Sequence, residues 1–227
     1  MRRRALVAVT AAALALVAAC SDSSDADHSV KVSEADGMKL LDVDGFAIDE
    51  TEVTNAMYAL CVADAKCEPP ADTISLTRDA YYDVPEFADY PVIFVDWEMA
   101  KTYCEWAGRE LPTEEQWEMA ARGDDERAYP WGNDLPTPTL ANSNDVVGDT
   151  TEVGSYPAGA SPYGALDMAG NVWEWTSDFF DGKSTHVLRG GAWSLDDESV
   201  RADFRGTHPS EPNLGIGFRC ALVNDDD

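Results

Sequence analysis

DMAGNVWEWTSD, residues 167–178, is the stretch whose reading decides the fold. Trp173 and Trp175 are two apart, so an extended chain carries both indoles on one face. Glu174 lies between them and Asn171 just before. Asp167, Asn171 and Glu174 offer hard oxygens close together, with flexible backbone carbonyls around Gly170. Carboxylate, amide and carbonyl oxygens are what Ca²⁺ takes, although the spacing matches no EF-hand loop. The plainer alternative is a buried aromatic strand with a solvated glutamate.

N-terminal to this hub the helix signals are strong. Asp96 caps a helix that carries Ala100, Tyr103, Cys104 and Ala107 on one face and ends at Gly108. Thr113-Glu114-Glu115-Gln116 is a capping box opening a second helix, with Trp117, Ala120 and Ala121 on one face and Gly123 at its end. Earlier still, Thr54 caps a helix whose inner positions are Tyr58, Cys61, Val62 and Ala65. Short strands are expected at Gly45–Asp49, Tyr90–Val95, Val172–Trp175, Val187–Arg189 and Gly217–Leu222. Loops dominate after Gly123. The pattern is one α+β domain with two to three short helices and short strands.

The 227 residues suit one domain, and seven tryptophans provide for a sizeable core. Three arginines, the apolar run Ala5–Ala19 and then Cys20 resemble the leader and lipobox of bacterial lipoproteins. Ordinary cleavage after Ala19 is the alternative. The expected organisation is a signal peptide at 1–19, a flexible acidic tether at 20–33 carrying lipid on Cys20, a domain at 34–223 and an acidic tail at 224–227. This places the protein in the cell envelope, anchored to a membrane surface. A formal net charge of −27 excludes nucleic acid as a partner. The four cysteines besides Cys20 suggest two disulfides, with three connectivities open. With no CxxC pair and no Cys/His cluster, a zinc site is not expected.

Six motifs make the chain resemble the formylglycine-generating enzyme (sulfatase-modifying factor) family. They are EVTN at 52–55, the run YPVIFVDWEMAKTYCEWAGRELPTEEQWEMAARG at 90–123, YPWGN at 129–133, GNVWEWTSD at 170–178, RGGAW at 189–193 and GFRCA at 217–221. They fall in the family's order and cover roughly residues 45–222. The resemblance implies a loop-rich fold related to C-type lectin-like domains, with short antiparallel strands. It implies a Cys104–Cys220 disulfide, which leaves Cys61 with Cys67. It also implies structural calcium at Asp167, Gly170, Val172 and Glu174, and a second site at Asn142, Ser143, Asp145 and Val147. Asp167 stands where the family more often has asparagine.

The family's oxidases hold copper(I) on two cysteines that follow the RGG motif. Residues 189–201 contain no cysteine; the matching positions fall at or near Leu195 and Ser199 or Val200. Soft thiolates are absent, so no copper is expected. Related iron-dependent oxidases of thiohistidine biosynthesis use a histidine-rich set. Here only His28, His186 and His208 exist, none in an HxxxH pattern, although His186, His208 and an acid formally allow a two-histidine, one-carboxylate site. No serine elbow and no phosphate loop is present. The expectation is therefore a membrane-tethered, non-catalytic binding or scaffold lipoprotein. A protein, peptide or glycan would dock in a groove near Trp193, Asp196, Asp197 and Glu198. The alternative is a metal-dependent oxidoreductase of altered chemistry, an iron oxidase or a formylglycine-generating-like oxidase.

Overall fold

A computed structural model describes residues 31–223 of the chain. The expected leader, Cys20, most of the tether and the acidic tail lie outside the described residues. Among the described residues, two four-stranded sheets, three α-helices and two short 3-10 helices form the domain. Strands β1 (Lys31–Val32), β2 (Lys39–Val43) and β3 (Phe46–Asp49) come first, then α1 (Asn55–Ala63), α2 (Trp97–Trp106) and α3 (Glu114–Arg122). Strands β4 (Trp173–Phe179), β5 (Thr185–Arg189), β6 (Gly206–Pro209), β7 (Ile216–Gly217) and β8 (Ala221–Val223) complete the chain. One sheet runs β1-β2-β3-β8 and is antiparallel; the other runs β6-β5-β4-β7, with β7 parallel to β4.

The helices begin where their capping residues dictate. Thr54 accepts from Met57 N at 3.2 Å, and Asp96 accepts from Met99 N at 2.8 Å. At α3 the capping box is reciprocal: Gln116 N donates to Thr113 Oγ1 at 3.1 Å, and Thr113 N donates to Gln116 Oε1 at 2.8 Å. Each such cap satisfies backbone donors that have no partner within the helix.

Two expectations are corrected. Tyr90–Val95 is not a strand but an irregular segment with one isolated bridge, Thr54 to Pro91. Pro91 has no N–H to give a ladder. Val92 N and Phe94 N then go to different segments, Val53 O and Asn213 O, and Phe94 turns left-handed at φ 58°. Ordered pairing also starts inside the expected tether, since Lys31 and Val32 pair with Leu40 and Lys39. The β6 segment, Gly-Thr-His-Pro, lacks an apolar alternation and is an edge strand held by β5.

The core lies between sheets and helices. Val53, Tyr58, Val95, Tyr103, Trp175 and Phe218 form one cluster, and Leu41, Ile48, Trp117, Ala120 and Met168 another. The long connection after α1 is fastened by a buried carboxylate. Asp149 accepts from Ser75 Oγ, Thr77 N and Thr77 Oγ1 at 2.7, 2.8 and 2.7 Å, and pairs with Arg78. Cys61 bonds Cys67 at the end of α1, and Cys104 on α2 bonds Cys220 just before β8.

The two disulfides close loops of very different span, with sequence separations of 6 and 116. In the chain-entropy account the longer one contributes about 4–5 kcal/mol and the shorter about 2. Urea melts of the paired Cys104→Ala/Cys220→Ala and Cys61→Ala/Cys67→Ala variants should therefore show the larger loss for the first.

Candidate functional site: the buried carboxylate hub

The loop entering β4 is built from unusual backbone. Asp167 and Asn171 are left-handed at φ 58° and 59°, a conformation that Asp and Asn tolerate better than other side chains. Gly170 between them has φ +82°, and a Cβ there would sit 2.2 Å from the Asn142 carbonyl oxygen. The loop must pass this close because Asn171 N donates to Asn142 O at 2.9 Å.

Glu174 follows on the face of β4 opposite the tryptophans. The alternation of the strand suggested a solvated glutamate, but α3 packs on that face and Glu174 is fully buried. Trp117 Nε1 on α3 donates to its Oε2 at 2.7 Å. Arg219 grips it twice, Nε to Oε2 at 2.7 Å and Nη2 to Oε1 at 2.8 Å. The remaining guanidinium hydrogens go to the carbonyls of Asp49, Glu50 and Leu166.

Glu52 and Asp167 complete the hub. Asn171 Nδ2 donates to Glu52 Oε1 at 3.1 Å and Gly154 N to Asp167 Oδ2 at 2.6 Å; Glu52 Oε2 is buried without a partner among the described residues. Three carboxyls face one guanidinium. Burial drives the Glu52 carboxyl well up, aided by the charges of Asp167 and Glu174. Burial likewise pushes Asp167 up to about 6, against the Gly154 hydrogen bond and Arg219. Burial thus favours the neutral form of both Glu52 and Asp167.

Of the four expected calcium positions, Asp167 and Glu174 lie close enough for their charges to interact. Both Glu174 oxygens accept hydrogen bonds from Arg219 and Trp117. The second set differs. Asn142 Oδ1 is buried and unpartnered among the described residues, while its Nδ2 donates to Asp149 O at 2.9 Å. Ser143, Asp145 and Val147 follow in the same tight loop, with Asp145 left-handed at φ 57°.

That loop also meets the RGG segment. Asp145 N donates to Trp193 O and Asn144 N to Leu195 O, at 2.9 and 2.7 Å. Asn144 Nδ2 donates to Asp197 Oδ1 at 2.7 Å, and Tyr129 OH to Asp197 O at 3.0 Å. Trp193 is buried with its indole N–H unpartnered among the described residues. Asp196 and Glu198 are exposed; hydrogen bonds from Ser199 hold the Asp196 carboxyl below its usual range. Leu195, at or near the first expected copper-ligand position, packs beside Ala128, Tyr129, Ala169 and Val200. Arg189 of the same motif is fully buried and joins β5 to α3 through Glu114 and Glu118, at 3.1 and 2.6 Å.

His186 and His208 are brought together as direct partners on β5 and β6. Among the described residues no three His, Cys, Asp or Glu side chains converge to hold a metal ion, so the two-histidine, one-carboxylate arrangement is not assembled. Sequence reasoning also missed a cavity of about 610 Å³ along α3, lined by Glu115, Glu118, Met119, Arg122, Asp124 and Asp178. Only the fold brings Asp178, at the end of β4, to that helix.

The sulfatase-modifying factor enzyme 1-like domain model matches residues 11–223. The chain belongs to that family. Among its relatives, a hercynine oxygenase of Mycolicibacterium thermoresistibile is 34% identical over 230 residues, covering 80% of this chain and 52% of that protein. The inactive C-alpha-formylglycine-generating enzyme 2 of Bos taurus is 39% identical over 157 residues, covering 61% and 52%. PvdO of Pseudomonas aeruginosa shares the fold, with a TM-score of 0.67 and 22% identity over 86% of this chain and 98% of PvdO. The chain spans about half or less of the length of the curated relatives it matches.

These relatives overturn the expectation of a non-catalytic scaffold. Hercynine oxygenases of several mycobacterial species match the domain at 34–40% identity. Loss of a thiolate pair removes copper(I)–thiolate chemistry alone, and oxygen chemistry on other ligands is untouched by it. The family members matched include both oxygenases and a protein named inactive.

The raised Asp167 carboxyl has a consequence for stability. Its folded value, about 6, lies above the ordinary 3.8, so the fold favours the neutral form. That contribution is present in full below pH 4 and is lost as pH rises through about 6. Asp167→Asn keeps an acceptor for Gly154 N and suits the left-handed backbone. In calcium-free buffer the variant should match wild type near pH 4 and exceed it at pH 8, by up to about 3 kcal/mol in urea melts. Parallel pH profiles for the two proteins would remove the raised Asp167 carboxyl from the account.

Proposed function

We propose that this protein is a metal-dependent oxidoreductase of the hercynine-oxygenase kind, with ligation different from the copper(I)–thiolate oxidases of its family. The observation that carries this reading is the similarity to hercynine oxygenases across most of the described domain. The domain contributes a rigid frame rather than a three-ligand centre, since none is assembled among the described residues. The cavity along α3 supports a positively charged substrate. Its carboxylates, Glu115, Glu118, Asp124 and Asp178, outnumber Arg122, which is itself paired to Glu118. The test is aerobic incubation of the purified protein with hercynine and a thiol. The expected outcome is oxygen uptake that depends on added iron or copper, and a raised KM in Glu115→Gln and Asp124→Asn. No oxygen uptake with either metal added would sink the reading.

Calcium in a structural role is proposed at Asn142, Ser143, Asp145 and Val147. The unpartnered Asn142 Oδ1 in a tight loop with a carboxylate supports it, because a hard cation takes such oxygens. Added calcium should raise the melting temperature of chelator-treated protein, and Asn142→Ala should abolish that rise. A wild-type protein indifferent to calcium would dismiss the site.

A further inference from the structure

The β5–β6 pairing sets His186 directly opposite His208. Direct partners on antiparallel strands share one face, with Cβ atoms roughly 4.5–5.5 Å apart. Trp175 of β4 stands on the same face, its ring 6.1 Å from the His186 imidazole and 6.0 Å from that of His208. His208 Nδ1 lies 2.6 Å from the Pro209 carbonyl oxygen. A carbonyl only accepts, so Nδ1 carries the proton and Nε2 keeps its lone pair. His186 is 2% exposed, and its Nδ1 has no partner among the described residues. A backbone hydrogen bond with Asp178 also acts on the ring. Trp97 stacks on the His186 ring at 4.3 Å, and Phe179 packs at 4.3 Å in a tilted contact, so the imidazole is fixed.

Each imidazole thus spends one nitrogen on a backbone group and has the other free. That is how histidines are oriented in metal sites, where the outer hydrogen bond sets the tautomer and aims the lone pair. A packing histidine in an aromatic pocket has no need of an opposite histidine prepared in the same way.

We propose that His186 Nδ1 and His208 Nε2 form a cross-strand binding site for a divalent metal ion of the imidazole-preferring kind, such as copper, nickel or zinc. No third His, Cys, Asp or Glu joins them among the described residues, so water fills the remaining positions and the ion exchanges. Glu98 on α2 and Asp181 in the β4–β5 turn add negative charge around His186. Half-buried His208 is the side from which the ion enters. The site rests on this geometry alone and stands or falls separately from the oxidoreductase reading.

The test is copper(II) added to the metal-free protein and read by electron paramagnetic resonance. The expected spectrum shows one bound ion coupled to two imidazole nitrogens. His208→Ala should reduce this to one nitrogen and weaken binding at least about tenfold. His186→Phe preserves the ring stack, so a folded protein with lost binding is expected. His28→Ala should leave both nitrogens in place. Copper held by oxygen ligands only, or binding unchanged in His208→Ala, would overturn the site.

Discussion

The rest of the structure depends on the double hydrogen bond between Arg219 and Glu174. Both side chains are fully buried. A buried charge is tolerable only when paired and hydrogen-bonded, and removing one partner of such a pair costs about 3–5 kcal/mol. The pair also fixes geometry. Arg219 sits in the short link between β7, in one sheet, and β8, in the other. Its further bonds to the carbonyls of Asp49, Glu50 and Leu166 tie β3 and the loop before β4 to the same point. Cys220, the next residue, anchors that link to α2. One residue step therefore joins both sheets and a helix.

What was legible in the sequence was mostly local. The caps at Thr54, Asp96 and Thr113 rest on side chains within three residues of the helix start, and all three helices begin there. The left-handed turn at Asp167–Asn171 was readable only as oxygens near a glycine. What escaped was set by partners far away in the chain. The burial of Glu174 escaped because strand alternation says nothing about α3 covering the second face. Tyr90–Val95 has the apolar content of a strand, but its backbone donors serve Val53 and Asn213 instead of a ladder. Glu52 comes within reach of Asp167 only through the fold, so the raised carboxyls had no sequence signal.

The site shows how one frame is reused. The RGG arginine and the GFRC arginine are both structural, each buried against acids of other elements. They persist here without the thiols that follow the first motif in copper-dependent members. The frame thus constrains position and leaves ligation free. Loop 142–147, Tyr129 and the Trp193–Asp197 segment are braced against one another.

The parallel pairing of β7 with β4, followed at once by β8 beside β3, has a temporal corollary. Neither sheet acquires its last strand until the final dozen described residues are available. A chain synthesised or threaded through a membrane from its N-terminus must wait, with Glu174 unpaired, until its C-terminal end emerges. Such long-range closure makes for slow assembly. The half-built protein is most exposed to chaperones and proteases in the interval just before the end of the chain arrives.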